Sequence, residues 1–316
     1  MRDLFGEIRP ASRRPLPPPP DLSRHGIYAG TSGYYFDDWT GVFNPPRIPP
    51  SRKAYASSEE IRNSDRLYFY QKYFSFIEIN NTFYREPDIG SFLSLDRRTS
   101  ESVKVSVKLN RSISHSREDD PKTGKDIITQ HIRAVSPIME SGKFYSFLLQ
   151  LDDRVFRTVR KLDYLLHTAS VCVKKGFDVH IEFRHISWYN NYVLKSLRNS
   201  GIGLCNTDIP PLGHAFPLTE EATSEKGYFR YSGRNKNNWY PVMEKKGPGR
   251  SIKNRNARYN YSYSEKEILE FSAGQKRLLQ TVPQTAIAYN NHFRAQAVKN
   301  ASRNLKILKA DFDNAS

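Results

Sequence analysis

The chain has 316 residues, of which 38% are hydrophobic and 13% are aromatic, so it is rich enough in apolar side chains to exclude an intrinsically disordered protein. A formal charge of +16 favours anionic partners such as nucleic acid, a membrane surface or a phosphorylated small molecule, although a lysine-rich exterior would give the same value. The two isolated cysteines, Cys172 and Cys205, exclude a disulfide framework and a metal knuckle and are expected to be reduced core residues.

Residues 1–25 form a proline-rich extension. Pro15 and the prolines at 17–20 favour a polyproline conformation, which predicts an extended tail along the surface. Docking to a partner through a PxxP motif is the alternative. The first 20 residues lack the apolar centre of a signal peptide, and no run of about 18 apolar residues predicts a membrane span, so we expect a cytoplasmic location.

From residue 26 onwards, short apolar segments alternate with longer segments of helical periodicity. The predicted strands are 27–32, 76–82, 103–109, 145–151, 178–183, 202–207, 228–232 and 285–290. The predicted helices are 57–74, 125–141, 152–169, 264–280 and 294–309, and two of them begin with the spacing of a capping box, Ser57 with Glu60 and Ser264 with Glu267. This alternation predicts an α/β fold, a single-domain (β/α)₈ TIM barrel over residues 26–310. A doubly wound open sheet is the alternative, but residues 30–33 (GTSG) do not form the GxGxxG turn typical of that fold.

Eight segments of the barrel region match, in order, the pattern of one known family. They are GTSGYYFDDWTGVFNPP (30–46), FIEINNTFYREP (76–87), VKLNRSISHSR (107–117), LLQL (148–151), HIEFRHISWYNNYVL (180–194), YFRYSGRN (228–235), YSYSEKEILEF (261–271) and YNNHFRAQAVKNA (289–301). Through these segments the chain resembles the YecE-like family of uncharacterised TIM barrels, a domain of unknown function. The resemblance implies a barrel without an established reaction. The likeness of such barrels to endonuclease-type TIM barrels suggests a nucleic-acid ligand.

The chain departs from that family pattern in three places. Asp152 stands where the family has proline after Gln-Leu. Residues 231–234 read Tyr-Ser-Gly-Arg where the family has Leu-His-Gly-Arg, so no role of that histidine is expected here. A long basic insertion, at about 234–258, follows.

The alternation of residues 179–183 predicts which side chains face the barrel axis. Val179, Ile181 and Phe183 should face the apolar helices, which turns the intervening polar residues inward. The same phase on the other strands places a polar set at the carboxyl ends, consisting of Glu78, Asn80, Lys108, Gln150, Glu182, Arg184, Arg230 and Asn290. Barrel enzymes keep their sites at this end, whereas ordinary barrels fill it with aliphatic side chains.

These residues predict a charged ligand pocket. Glu78 and Glu182 are the predicted general acid and base, or the holders of a divalent metal, to which His185, Asp208 and His292 could also contribute. The remaining predicted ligand-binding roles are phosphate binding by Lys108, Arg184, Arg230 and Arg234, orientation by Asn80, Gln150 and Asn290, a contact by His185, and stacking by Trp39 and Trp188. The alternative is a closed network in which Lys108 and Arg230 neutralise the two glutamates, with both indoles plugging the rim.

The basic insertion is a second candidate contact. Residues 234–258 carry eight lysines and arginines against the single acid Glu244, with Trp239, Tyr240 and Tyr259 interleaved. Cations with aromatic side chains suit a phosphate backbone with unstacked bases, while a solvated flexible loop is the alternative.

We therefore expect a protein that binds or hydrolyses a phosphate-bearing ligand, DNA, RNA or a nucleotide, with nuclease-like hydrolysis as one hypothesis. A non-catalytic nucleic-acid-binding protein and a carbohydrate-active hydrolase using the two glutamates are the alternatives. No pattern in the sequence indicates an oligomeric state.

Overall fold

The structure of the protein is a computed structural model that describes residues 16–46, 65–115, 119–240, 243–246, 249–252 and 256–315. For residues 243–246 and 249–252 the description is confined to the backbone. Most of the predicted proline-rich tail, the first part of the predicted helix at 57–74 and its capping box at Ser57 and Glu60 lie outside these ranges.

The described residues form eleven strands. In chain order they are β1 (Ile27–Ser32), β2 (Phe76–Ile79), β3 (Lys104–Lys108), β4 (Phe144–Gln150), β5 (Val179–Glu182), β6 (Gly203–Leu204), β7 (Asn206–Asp208), β8 (Lys226–Tyr231), β9 (Met243–Lys246), β10 (Gly249–Ile252) and β11 (Gln284–Tyr289). Nine of them form one parallel sheet in the order β6-β5-β4-β3-β2-β1-β11-β8-β7. The two edge strands, β6 and β7, are separated in the sequence only by Cys205, so the sheet is a nearly closed barrel. The predicted TIM-barrel fold is confirmed, with the strand predicted at 202–207 divided in two.

Helices of the described residues surround the sheet. They are α1 (Arg66–Tyr70), α2 (Ile89–Arg98), α3 (Arg111–Ser114), α4 (Pro121–Glu140), α5 (Val159–Lys174), α6 (Asn191–Asn199), α7 (Glu265–Leu279) and α8 (Gln296–Ala315). The capping box predicted for α7 is present, because the Ser264 side chain accepts from the Glu267 amide while the Glu267 carboxylate accepts from the Ser264 amide. Within the same residues, none of these helices combines the length and the hydropathy needed to cross a bilayer.

Three helices were not predicted, the four-residue α3 among them, and the helix predicted at 152–169 begins later than expected. The unpredicted α2 and α6 begin at side-chain caps, Asp88 accepting from the Ser91 amide and Asn190 from the Val193 amide. The helix predicted at 152–169 begins at Val159, because Thr158 accepts from the Lys161 amide and so fixes the first turn there.

Two apolar clusters separate the outside of the barrel from its lumen. The larger one packs the strands against the helices and contains Val179, Ile181 and Phe183, as the alternation predicts. The smaller one fills the lower and middle lumen and consists of Tyr28, Phe76, Tyr145, Leu148, Cys205, Tyr228, Ala286 and Ala288. The apolar filling therefore stops below the carboxyl ends of the strands, where the polar residues begin.

The described part of the basic insertion contains regular structure, unlike the solvated flexible loop considered as the alternative. Strands β9 and β10 form an antiparallel hairpin in which Arg250 is opposite Lys245 and Gly249 is opposite Lys246. Residues 241–242, 247–248 and 253–255 of the insertion lie outside the described ranges.

Candidate functional site

Arg230, on β8, is the centre of a buried ion network at the carboxyl end of the lumen. Its Nε donates to Glu78 Oε2 at 3.0 Å and its Nη2 to Glu78 Oε1 at 2.9 Å, while its Nη1 donates to Glu182 Oε2 at 3.1 Å. Arg230 is 2% exposed and both glutamates are fully buried. The strand alternation thus brings Glu78 of β2 and Glu182 of β5 to one guanidinium across the lumen.

Further hydrogen bonds complete the coordination of both carboxylates. Glu78 accepts from the Ser32 hydroxyl at 2.6 Å and from the Tyr228 hydroxyl at 2.8 Å. Glu182 accepts from Arg184 Nε at 2.6 Å. The arrangement resembles the closed network considered from the sequence, with Arg184 in the place expected for Lys108.

The surroundings of the two glutamates keep both ionised. Burial by itself would raise the pKa of Glu78, but the charge and the hydrogen bonds of Arg230 outweigh it and lower that pKa from 4.5 to about 2. Burial likewise opposes the effect of Arg184 and Arg230 on Glu182, whose pKa is also lowered. A general acid needs a raised pKa and a general base one near the working pH. In this arrangement neither predicted catalytic carboxylate has such a value.

Lys108, at the end of β3, is buried beside this network without a carboxylate of its own. Its Nζ donates to Gln150 Oε1 at 2.7 Å and lies 3.8 Å from the centroid of the Phe83 ring. Among the described residues no carboxylate oxygen lies within 4.0 Å of that Nζ. Burial, followed by the charges of Arg230 and Arg184, lowers the pKa of Lys108 well below its ordinary 10.5, and Glu182 and Glu78 offset only part of that effect.

Arg184 connects the network to the rim of the barrel. Its Nε is bound to Glu182, but its two terminal nitrogens have no hydrogen-bond partner among the described residues, and the residue keeps 7% exposure. Its guanidinium lies 5.4 Å from the centroid of the Trp239 ring, whose indole nitrogen donates to Asp153 Oδ2 at 3.3 Å. The start of the basic insertion therefore folds over the mouth.

The predicted contact residue His185 lies at this rim, away from the glutamates. Its ring stacks on His214 with a centroid distance of 5.4 Å, and its Nδ1 is 2.8 Å from the Ser187 hydroxyl. His214 Nε2 is 3.4 Å from Asp153 Oδ2. His185 is thus part of the wall around the mouth.

Arg234, predicted to bind phosphate, is occupied by carboxylates. Its Nη2 donates to Asp208 Oδ1 at 2.7 Å, and its Nη1 donates to Glu267 Oε1 at 3.0 Å. Burial raises the pKa of Asp208 in spite of the hydrogen bonds and charge of Arg234. These contacts connect the end of β7 and the segment after β8 to α7, so Arg234 stabilises the packing of these three elements.

The two predicted asparagines differ in their contacts. Asn290 Nδ2 donates to the Ser232 hydroxyl at 3.3 Å, and that hydroxyl also lies 3.4 Å from Arg230 Nη1. Asn80 Oδ1 is buried without a hydrogen-bond partner among the described residues. Asn80 therefore keeps an acceptor available.

Trp39 and Trp188 lie inside the protein rather than at the mouth. Both are fully buried, and their indole nitrogens donate to backbone carbonyls, Trp39 to His292 at 2.6 Å and Trp188 to Val155 at 2.7 Å. Trp188 stacks on Phe183, on the outer side of the barrel. Neither indole has an exposed face that supports the predicted stacking on a ligand.

A cavity of about 910 Å³ adjoins the network between the ends of β1 and β2 and helix α2. Ser32 and Glu78 line its inner part, and Asn80 and Arg85 line its wall together with Tyr34, Tyr35, Phe36, Asn81 and Arg98. Its size is within the range of small-molecule sites, about 300–1,000 Å³. Ser32 and Arg85 were not predicted as site residues, although the inward phase of β1 and the segment NNTFYR (80–85) after β2 indicate this wall.

Metal ligation has little support in the described part of the chain. No group of three or more His, Cys, Asp or Glu side chains there is arranged to hold a metal ion. His292, one of the predicted ligands, stacks on Phe36 at 3.9 Å, and burial lowers its pKa to about 3. The divalent metal considered from the sequence thus has no ligand set among these residues.

Comparisons with known proteins agree with the fold. A family model described as "Protein of unknown function DUF72" matches residues 28–315. UPF0759 protein YunF of Bacillus subtilis is 23% identical over 296 residues, which are 90% of this chain and 96% of that protein. The crystal structure of a DUF72 family protein from Thermotoga maritima is 28% identical, with a TM-score of 0.73 over 90% of this chain and 100% of that chain. A DUF72 family protein from Enterococcus faecalis shows the same fold at 21% identity, with a TM-score of 0.69 over 90% of this chain and 95% of that chain.

Proposed function

The chain belongs to the DUF72 family of proteins of unknown function, and from the geometry of its barrel mouth we propose that it binds a small phosphate-bearing ligand there. We also propose that it falls within the YecE-like group that its sequence motifs resemble. Turnover of the ligand by Glu78 and Glu182 is not part of the proposal, because arginine holds both carboxylates and the pKa of each is lowered.

The excess of cations over carboxylates carries the proposal. Arg230 and Arg184 pair with Glu78 and Glu182, whereas Lys108 donates to Gln150 and has no carboxylate partner among the described residues. A buried cation without a counter-charge is costly, so the site gains stability when an anion supplies that charge. Arg184 and Lys108 lie at its outer side, each with 7% exposure, where an entering ligand would meet them.

The available donors have the geometry that phosphate prefers. Arg184 is held in place through Nε, which leaves both terminal nitrogens to donate together to an oxyanion. Lys108, when protonated, adds a point charge and can exchange its bond to Gln150 for one to the ligand. Beyond Glu78 lies the cavity of about 910 Å³, which is lined by neither Arg184 nor Lys108 and has the size of a small-molecule site. Asn80 Oδ1, in its wall, has no hydrogen-bond partner among the described residues.

Calorimetric titration tests this proposal with three pairs of compounds, glycerol 3-phosphate and glycerol, ribose 5-phosphate and ribose, and AMP and adenosine. We expect at least one phosphorylated member to bind and its unphosphorylated partner to bind much more weakly. Replacing one charged donor (Arg184→Gln or Lys108→Met) should weaken binding by roughly 10- to 100-fold, since a hydrogen bond to a charged group contributes about 1.5–3 kcal/mol. Lys104→Met is the matched control because it removes a lysine from the opposite end of β3.

Two results would contradict the proposal. One is equal affinity for the phosphorylated and unphosphorylated members of every pair. The other is unchanged affinity in both mouth variants.

A second candidate function, nucleic-acid binding, is favoured by the register of the β9–β10 hairpin. The backbone register places Arg250 opposite Lys245 and so brings two of the eight basic residues of the insertion to the same level of the hairpin. Neutralisation of phosphates by lysine and arginine supplies most of the affinity of non-specific nucleic-acid binding. Fluorescence anisotropy with a labelled single-stranded RNA should show affinity that falls with added salt and is lost when residues 243–252 are replaced by a glycine-serine turn. Salt-independent affinity, or full affinity without the hairpin, would rule this contact out.

A further inference from the structure

We propose that Lys108 is a nucleophilic amine that forms an imine with a carbonyl group of the ligand, which makes the substrate class a phosphate-bearing aldehyde or ketone. This inference rests on the proposed function, because the phosphate is what anchors the carbonyl compound at the mouth. It assigns to Lys108 a covalent role in addition to its charge.

The position of Lys108 fits such a role. A lysine becomes nucleophilic when it is desolvated or lies next to another cation. Lys108 meets the first condition, since it is 7% exposed and its Nζ lies 3.8 Å from the centroid of the Phe83 ring, and the positive charges of Arg230 and Arg184 act on it as well. It also stands at the carboxyl end of β3, which is the end where barrel enzymes act on their substrates.

Other buried lysines of the described residues are held differently. Lys143 is 6% exposed, nearly the same as Lys108, but its Nζ lies 2.8 Å from Asp96 Oδ1 and donates to the carbonyl oxygen of Thr99 at 3.0 Å. A carboxylate at that distance stabilises the ammonium form, which has no lone pair to donate. Lys108 has an amide oxygen, from Gln150, in the corresponding place. Lys143 and Lys108 are thus nearly equally buried, but only Lys108 lacks a carboxylate partner, so burial alone does not account for the expected reactivity of Lys108.

The charges around Lys108 come from several strands. Arg230 and Arg184 disfavour its ammonium form, whereas Glu182 and Glu78 favour it. The pKa of His115, which follows β3, is lowered mainly by burial. The negative charge of Asp152 raises this pKa, and the positive charge of Lys108 lowers it further. The lowered pKa of Lys108 favours its neutral amine relative to an ordinary lysine, and Arg184 is then the group that anchors the phosphate.

The chemical step is an addition followed by loss of water. The lone pair of the neutral Nζ attacks the carbonyl carbon, and one of the Nζ protons moves to the carbonyl oxygen to give a neutral carbinolamine. That oxygen takes up a second proton from the solvent and leaves as water, while the nitrogen lone pair forms the C=N bond of a protonated imine. The positive charge of the imine takes the place of the lysine ammonium. No oxidant or reductant is consumed.

Reductive trapping tests the inference in the wild-type protein. The protein is incubated with dihydroxyacetone phosphate and sodium borohydride, which reduces an imine to a stable secondary amine, and modified lysines are located by peptide mass spectrometry. We expect the adduct to be concentrated on Lys108, at least tenfold above Lys143 and above any lysine of the surface. A parallel reaction with dihydroxyacetone tests whether the phosphate is needed.

Glycerol 3-phosphate separates this inference from the proposed function, because it carries the phosphate but no carbonyl group and so forms no imine. The variant Lys108→Arg should lose the trapped adduct, because a guanidinium forms no such imine. Binding of glycerol 3-phosphate by the wild type without an adduct on Lys108 would overturn the imine alone. Failure of the wild type to bind any phosphorylated probe would overturn the proposed function instead. An adduct spread evenly over the lysines would refute the role of Lys108 whether or not the variant folds.

Discussion

Replacing Arg230 with methionine should destabilise the barrel strongly, because two buried carboxylates then lose their shared cation. Glu182 keeps Arg184, but Glu78 keeps only the hydroxyls of Ser32 and Tyr228. Breaking a buried ion pair by removing one partner costs about 3–5 kcal/mol. The pKa of Glu78 leads to a similar magnitude, since a change from 4.5 to about 2 corresponds to roughly 3 kcal/mol at about 1.4 kcal/mol per unit.

Urea unfolding followed by circular dichroism at pH 7 measures this loss. The control is Lys226→Met at the other end of the same strand, where the ion pair with Asp178 is partly exposed and should contribute less than about 1 kcal/mol. If the single variant does not fold, the double variant Glu78→Gln, Arg230→Met should fold, because it removes this ion pair as a whole and leaves Glu182 paired with Arg184. A loss below about 1 kcal/mol for Arg230→Met, or a double variant no more stable than the single one, would refute the argument that these charges depend on one another.

Three further predictions concern single titratable groups. Lys108→Met should raise the free energy of unfolding at pH 7 by about 1 kcal/mol or more. Because the folded pKa of Lys108 is lowered, the stability of the wild type rises with pH up to 10.5. Urea titrations from pH 7 to 10 should therefore show the difference in stability between the two proteins becoming smaller, and a constant difference would contradict the prediction. Glu78→Gln should destabilise the protein by roughly 3 kcal/mol at pH 7. Because the folded pKa of Glu78 is lowered, the stabilisation by its carboxylate is present above pH 4.5 and is lost towards pH 2. The melting temperatures of the wild type and the variant should therefore approach each other on acidification, whereas a growing difference would exclude the assignment. Burial raises the pKa of Cys172 to about 12 and that of Cys205 well above its ordinary value, so neither thiol should react with Ellman's reagent at pH 8 until urea unfolds the chain, and rapid reaction of the native protein would count against the packing.

Strand alternation was sufficient to predict that the main site residues lie near the carboxyl ends of the strands and point into the lumen of the barrel. A period of two is a property of extended backbone, so the apolar faces of β2, β5 and β8 determined that Glu78, Glu182 and Arg230 point into the lumen. The choice of partner was not predictable in the same way. It depends on the stagger between strands, which places Gln150 opposite Glu182 and Lys108 opposite Leu148, and so leaves Lys108 with an amide rather than a carboxylate.

The predictions that the structure does not support concern residues in loops and short helices. Trp39 and Trp188 lie in single 3-10 turns, and the fold of the neighbouring loops turns their rings into the interior. Helices α2 and α6 contain only 10 and 9 residues, so their periodicity is short and their caps, Asp88 and Asn190, were the stronger signal. Arg234 looked available for phosphate because its partners, Asp208 and Glu267, are distant in the sequence.

The most direct test of the central claim, an anion site completed by Lys108, is calorimetric titration of the wild type with glycerol 3-phosphate in two buffers of different ionisation enthalpy at pH 8.5. An anion at the mouth favours the ammonium form, so binding should take up a measurable fraction of a proton in the wild type and none in Lys108→Met. Binding with no proton uptake, or equal uptake in the variant, would contradict the claim.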